Sequence, residues 1–332
     1  MKILYCIQAT GNGHISRAIE LIPFLSKFAQ VDVFLSGANS SLKPDLPIKF
    51  RSDGLSLFYR PEGNLNWWKI IKQINPFRLF RDAINLPVNE YDHVIIDYEF
   101  IGSLACKLRG KPFLHIGNQA SFASKLIPRP IQKHSASEWV LRNYCYSKHN
   151  IGYHYKSYEN WILPPTIKQH FWDAEPTEGE HITVYLPHIS RREINRYFYA
   201  LRGVEFHVFH PDVEKLEIDF NIHWHPIDGS NFDKDLINSK GVITAAGFQT
   251  TAEALFLEKP LLIIPIPKQY EQWCNAEALK EFDVEVVETL NLYFEKTFRS
   301  WYKQLKRARN KPHFIKTEDI AQSIITKLQS MP

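Results

Sequence analysis

Residues 241–275, GVITAAGFQTTAEALFLEKPLLIIPIPKQYEQWCN, restrict the architecture more than any other part of the chain. A β-branched apolar run ends at Thr244 and breaks at Gly247. A helical pattern follows, with Glu253 about two turns in. A second apolar run, Leu261 to Ile264, is closed by Pro265 and Pro267. Glu271, Gln272 and Asn275 then open another helical stretch. A strand, a glycine turn and a helix N-terminus form an anion site, because the first-turn N–H groups lack intrahelical partners and the dipole is positive there. Such a unit belongs to a parallel α/β sheet that holds its ligand at the C-terminal ends of the strands.

The start of the chain has the same grammar. Ile3 to Ile7 predicts a buried strand. Gly11-Asn12-Gly13 predicts a tight turn, and His14 and Ser16 stand where a helix begins. Ile15, Ile19 and Ile22 give that helix an apolar face, which Pro23 is expected to kink, and Val31 to Leu35 reads as the next strand. A dinucleotide fingerprint is disfavoured, because Ser16 stands where the third glycine would be and no acid closes the second strand. Tyr91 to Asp97 reads as a strand ending in an acid, on the sheet edge that also carries His14. A carboxylate there can orient an imidazole as a dyad, or serve only as a turn or helix-cap residue.

Further along, Ile101 to Leu108 reads as a helix, Phe113 to Ile116 as a strand and Ser135 to Ser147 as a helix. The aromatic stretch from Asn150 to Trp161 has no regular period. Leu163-Pro164-Pro165 and the polar run Asp173 to Glu180 mark a domain crossover. A second alternating series begins at His181, with strands at His181 to Leu186, Glu205 to Phe209 and Ile222 to His225. Both halves are therefore expected to be Rossmann-like. Residues 63–86 interleave Trp67, Trp68, Phe77 and Phe80 with Lys69, Lys72, Arg78 and Arg81, and Pro76 is expected to divide them into two helices. The stretch suits an amphipathic element at an anionic bilayer, an acceptor lid, or ordinary core helices.

Composition narrows the class. With 332 residues, 44% hydrophobic and 23% charged, the chain can build two cores and is not of the disordered type. A net charge of +4 suits an anionic substrate and gives no reason to expect nucleic acid as a partner. The four cysteines form no C-x-x-C pair, so no metal site is expected from them. The N-terminus lacks a secretory signal pattern and no apolar run reaches about 18 residues. The expectation is a cytoplasmic protein, peripheral to the membrane's inner face if 63–86 binds lipid.

Together these residues resemble a GT-B glycosyltransferase. The chain is similar to the UDP-glycosyltransferase superfamily and to the family that forms lipid II by transferring N-acetylglucosamine. The resemblance rests on Gly11-Asn12-Gly13-His14, on Asp97 within VIIDYEF, and on TAAGFQTTAEAL, KPLLIIPIP and Glu271-Gln272-Trp273-Cys274-Asn275-Ala276. Arg17 suggests a branch that begins G-x-G-H-x-x-R. The resemblance implies an α/β, two-domain GT-B fold. Residues 1–162 would form the acceptor domain and 163–316 the nucleotide-sugar domain, with a helix in 317–332 packing back on the first.

It also implies an inverting transfer from a nucleotide-sugar, most plainly UDP-linked, to an acceptor hydroxyl such as that of a lipid-linked or cell-envelope glycan, with no cofactor or metal. His14 would be the base and Asp97 its partner. Gly247, Thr250 and Thr251 would cradle diphosphate, Glu253 would hold the ribose, Glu271 and Gln272 would read the sugar hydroxyls, and Gly13 and Asn275 would also bind the donor. The loop Tyr185 to Ser190 departs from the pattern by lacking glycine, so either His188 and Ser190 contact phosphate instead or the loop stands off. Glu271 stands where relatives carry Asp or Gln. An epimerase or hydrolase of the same fold, or a non-catalytic carbohydrate-binding protein, are the competing classes.

Overall fold

The computed structural model describes residues 1–9, 13–37, 45–54, 75–131 and 135–332. The Gly11-Asn12 turn lies outside them. Seven strands form the first sheet: β1 Lys2–Gln8, β2 Gln30–Ser36, β3 Ile48–Ser52, β4 His93–Asp97, β5 Leu114–Gly117, β6 His149–Tyr153 and β7 Ile162–Leu163. They are all parallel, in the order β3-β2-β1-β4-β5-β6-β7. The second sheet comprises β8 His181–Tyr185, β9 Glu205–Phe209, β10 Glu217–Asp219, β11 Ile222–His225, β12 Gly241–Thr244, β13 Leu261–Ile263 and β14 Glu285–Val286. Its order is β10-β11-β9-β8-β12-β13-β14, with only the β10–β11 pair antiparallel.

Strand order reverses between β1 and β4 in the first sheet and between β8 and β12 in the second. Loops leaving adjacent strands in opposite directions open a crevice at such a point, and ligands of α/β sheets bind there. His14 follows β1 and Asp97 ends β4, while His188 follows β8 and Gly247 follows β12. The fold therefore brings the sequence candidates to two crevices.

One expectation needs correction. The Asn150 to Trp161 stretch is not irregular, because it contains most of β6 and leads into β7. Pro23 lies inside its helix, which is continuous over Gly13–Leu25. Pro76 starts the helix Pro76–Asn85, the second of the two expected there, with the Asn75 side chain accepting from the Arg78 N–H at 3.0 Å. A proline is tolerated at a first helical position because its missing N–H would be unpaired there anyway. Residues 63–74 lie outside the described part. In the described helix Leu79 and Ala83 are buried, whereas Phe77, Phe80 and Ile84 line its exposed side.

One continuous apolar cluster runs from the first sheet to the second. It joins Ile3, Tyr5 and Tyr153 to Val242, Phe248 and Leu255, and includes Ile320, Ile324 and Leu328 of the helix Thr317–Gln329. That helix packs on Gly13–Leu25 of the first half, with Lys27 and Glu318 paired at 2.7 Å.

Candidate active site

The strand β4 ends by delivering Asp97, wholly buried, to the crevice beside His14. The His14 Nδ1 and Asp97 Oδ1 atoms are 2.6 Å apart. Arg17, one helical turn beyond His14, donates to both carboxylate oxygens, at 2.9 and 3.0 Å, and the Tyr5 hydroxyl donates to Oδ2 at 3.2 Å. Burial alone would push the Asp97 pKa up, but the Arg17 guanidinium and His14 bring it down to about 2. Asp97 is thus a fixed anion. It accepts the proton of Nδ1 and leaves His14 Nε2 as the nitrogen open to a substrate hydroxyl.

Gly117 completes this wall. Its φ is +124°, and a Cβ there would lie 3.2 Å from Asp97 Oδ1 and 3.3 Å from Gln119 Oε1. From the short helix Asn118–Ser121, the Gln119 Nε2 donates across the crevice to Glu271 Oε1 at 3.1 Å. Glu271 is raised above the usual carboxylate range by burial, against the pull of His14 and Arg17. The C-terminal block therefore faces the dyad directly.

In the second half, the helix Phe248–Phe256 begins after Gly247, around which a Cβ would meet nothing within 4 Å. The N–H of Ala246 is not free for a phosphate: it donates to Gln272 Oε1 at 3.2 Å, as the Ile266 N–H does at 2.9 Å. Asn275 likewise donates to the Ala246 carbonyl at 3.0 Å. Gln272 and Asn275 thus brace the loops after β12 and β13. Thr251 is wholly buried and its hydroxyl bonds the Gly247 carbonyl at 2.8 Å and Tyr155 Oη at 2.6 Å, so it does not face the crevice. The anion cradle narrows to the backbone N–H groups of residues 248–250 and the half-buried Thr250.

Glu253 is buried, accepts from Gln249 Nε2 at 2.9 Å, and lies 3.5 Å from Lys168 Nζ, which is held by Asp233 at 2.7 Å. Burial raises its pKa to about 7 despite Lys168. Ser190 caps the helix Arg191–Phe198 by accepting from the Glu193 N–H at 3.3 Å. Both ring nitrogens of His188 are buried with no hydrogen-bond partner among the described residues, and burial lowers its pKa to about 4. A neutral imidazole with unsatisfied nitrogens beside the β8–β12 crevice remains suited to a ligand. Tyr5, Tyr155, Lys168 and Gln249 belong to the site's framework and were not singled out by sequence.

Two α/β halves with paired crevices, one bearing a His–Asp pair and the other an open helix N-terminus, define a GT-B transferase. The glycosyl transferase family 1 model matches residues 1–299, and the chain belongs to that family. It is accordingly a sugar-transferring enzyme. Solved structures agree on the fold at low identity. The spinosyn forosaminyltransferase SpnP is 12% identical, with a TM-score of 0.60 over 99% of this chain and 100% of that one. MurG of Acinetobacter baumannii is 13% identical, with a TM-score of 0.56 and full coverage of both chains. SnogD from Streptomyces nogalater is 12% identical, with a TM-score of 0.57 over 98% of this chain and 99% of that one. No curated protein matches the sequence.

Proposed function

We propose that the enzyme transfers a sugar from a UDP-linked donor to an acceptor hydroxyl, with inversion at the anomeric carbon. The 2.6 Å contact between His14 and Asp97 carries the reading. His14 Nε2 takes the acceptor's proton as the acceptor oxygen bonds to the anomeric carbon. The bond from that carbon to the diphosphate breaks from the opposite face, and UDP leaves with the electron pair. The N-terminus of Phe248–Phe256 stabilises the charge gathering on the diphosphate. Glu253 accepts from the ribose diol. VinC, at 11% identity and a TM-score of 0.57, was solved in complex with dTDP. A carboxylate that accepts from both ribose hydroxyls would favour the ribonucleotide, since deoxyribose offers one fewer donor.

Thermal melts with UDP, dTDP, GDP and NAD test the donor: UDP is expected to raise Tm most, and no response to any nucleotide would remove the donor assignment. His14→Ala is expected to keep UDP binding and lose about two to four orders of magnitude in turnover. Unchanged turnover would remove His14 as the base.

The acceptor we infer is lipid-linked, met at an anionic membrane surface. No described helix is long and apolar enough to cross a membrane. The exposed Phe77, Phe80 and Ile84, beside Arg78 and Arg81, support a peripheral contact. Co-sedimentation with anionic vesicles should fall when Phe77 and Phe80 are both replaced by Ser; equal sedimentation would count against it.

A further inference from the structure

The second sheet carries a polar face that sugar transfer does not use. Residues two apart on a strand share a face. His181 and Thr183 of β8, Glu205 and His207 of β9, and His223 and His225 of β11 therefore line one side of the sheet. Register places Thr183 beside His207 and His207 beside His223. The helix Gly229–Asn238 sets Asp235 over this row.

We propose that His181, His207 and Asp235 form a binding site for one divalent transition-metal ion of the zinc class. Their ligand atoms lie within 4.8 Å of one another. Asp235 faces both rings, with Oδ2 3.3 Å from His181 Nε2 and Oδ1 2.5 Å from His207 Nδ1. The two rings stack at 3.9 Å, 10° from parallel, on the side of the sheet that Asp235 covers. Imidazole nitrogen and carboxylate oxygen are the ligands zinc takes outside cysteine sites.

Supporting contacts are of the kind that orient metal ligands. His207 Nε2 lies 2.9 Å from Glu205 Oε1, which fixes Nδ1 as the ligating nitrogen. Thr183 Oγ1 donates to Asp235 Oδ2 at 2.6 Å. A groove of about 430 Å³ opens beside the trio, lined by His181, Asp235 and His225. His225 Nε2 is buried there with no hydrogen-bond partner among the described residues. The neighbouring trio Glu205, His207 and His223 is the weaker choice, because the Glu205 side chain is 48% exposed against 11% for Asp235.

The site is remote from the transfer chemistry, since His181 opens β8 at the edge opposite the crevice. A bound ion would staple the helix Gly229–Asn238 to the sheet. Calorimetric titration of the untagged, EDTA-treated full chain with Zn²⁺ tests the proposal, with Co²⁺ absorption as the spectroscopic check. One equivalent is expected to bind, with d–d bands of a nitrogen–oxygen site for Co²⁺. His181→Asn and Asp235→Asn should each weaken binding at least about tenfold, while His313→Asn, at an exposed position, should not. No saturable binding below about 1 mM would overturn the proposal, as would binding that both variants retain. Should either variant melt early in EDTA, the wild-type stoichiometry and Co²⁺ spectrum decide alone.

Discussion

Glu253 is where ligand chemistry and stability pull in opposite directions. Burial lifts its pKa from 4.5 to about 7, so the folded chain holds a proton there that the unfolded chain has lost. The fold therefore loses stability as pH rises between those two values, and the penalty is constant above them. Glu253→Gln removes the ionising group while keeping an acceptor for Gln249. We expect the variant to be more stable than wild type by about 1–3 kcal/mol near pH ~8, with the gap closing toward pH ~4.5. Its UDP affinity should fall at the same time. Melts at both pH values, with and without UDP, check this; a gap independent of pH would contradict the assignment. His14 and Asp97 were legible in the sequence because strand-end positions are set by the strands themselves. Hydroxyl roles were less so. Ser190-Arg191-Arg192-Glu193 has the spacing of a helix-capping box, a signal that pointed to the cap. Thr251 had no such signal, because Tyr155, which meets its hydroxyl, comes from the other half of the chain.

The element that holds the donor crevice in shape is the helix Tyr270–Leu279. Through Gln272 it accepts from the loops after both β12 and β13. Gln272→Ala would leave two backbone N–H groups without their acceptor, which costs about 1–3 kcal/mol for each one that stays dry. We expect a lower Tm together with weaker UDP binding. Glu271→Gln differs, because it relieves a buried carboxylate held above its usual pKa. It should keep or raise Tm and change sugar selectivity or turnover instead. Equal losses of Tm in both variants would show that Glu271, too, is structural. Alternation of strand and helix was readable along most of the chain, since apolar runs and glycine turns are local signals. The strand β6 was obscured by its aromatic surroundings and by Gly152. That glycine is required because a Cβ there would come within 2.6 Å of the Ser121 Cα, a contact with a segment distant in sequence. The three-residue β10 is too short to show a period.

At the scale of the whole molecule, two Rossmann-like sheets were foreseeable from two alternating series, but the way they share a core was not. The cluster linking them draws on β1, β12 and the helix Thr317–Gln329, which no local pattern connects. Across the same junction Lys156 and Tyr158 meet Glu281. Exposed pairs of this sort contribute little, so the apolar cluster decides the coupling. Ile324 is fully buried, on the helix that packs against Gly13–Leu25. Ile324→Ala should cost about 2–5 kcal/mol, the range for a buried aliphatic side chain truncated to a methyl. If the shared cluster makes the halves unfold together, calorimetry will show one endotherm moved to lower temperature. Fluorescence from Trp161 in the first half and Trp224 and Trp301 in the second should then change over the same range. Two endotherms with only one displaced would mean that each half melts on its own and that the helix merely rests on the first. Transfer should fall with the single transition, because His14 begins the helix on which Thr317–Gln329 packs.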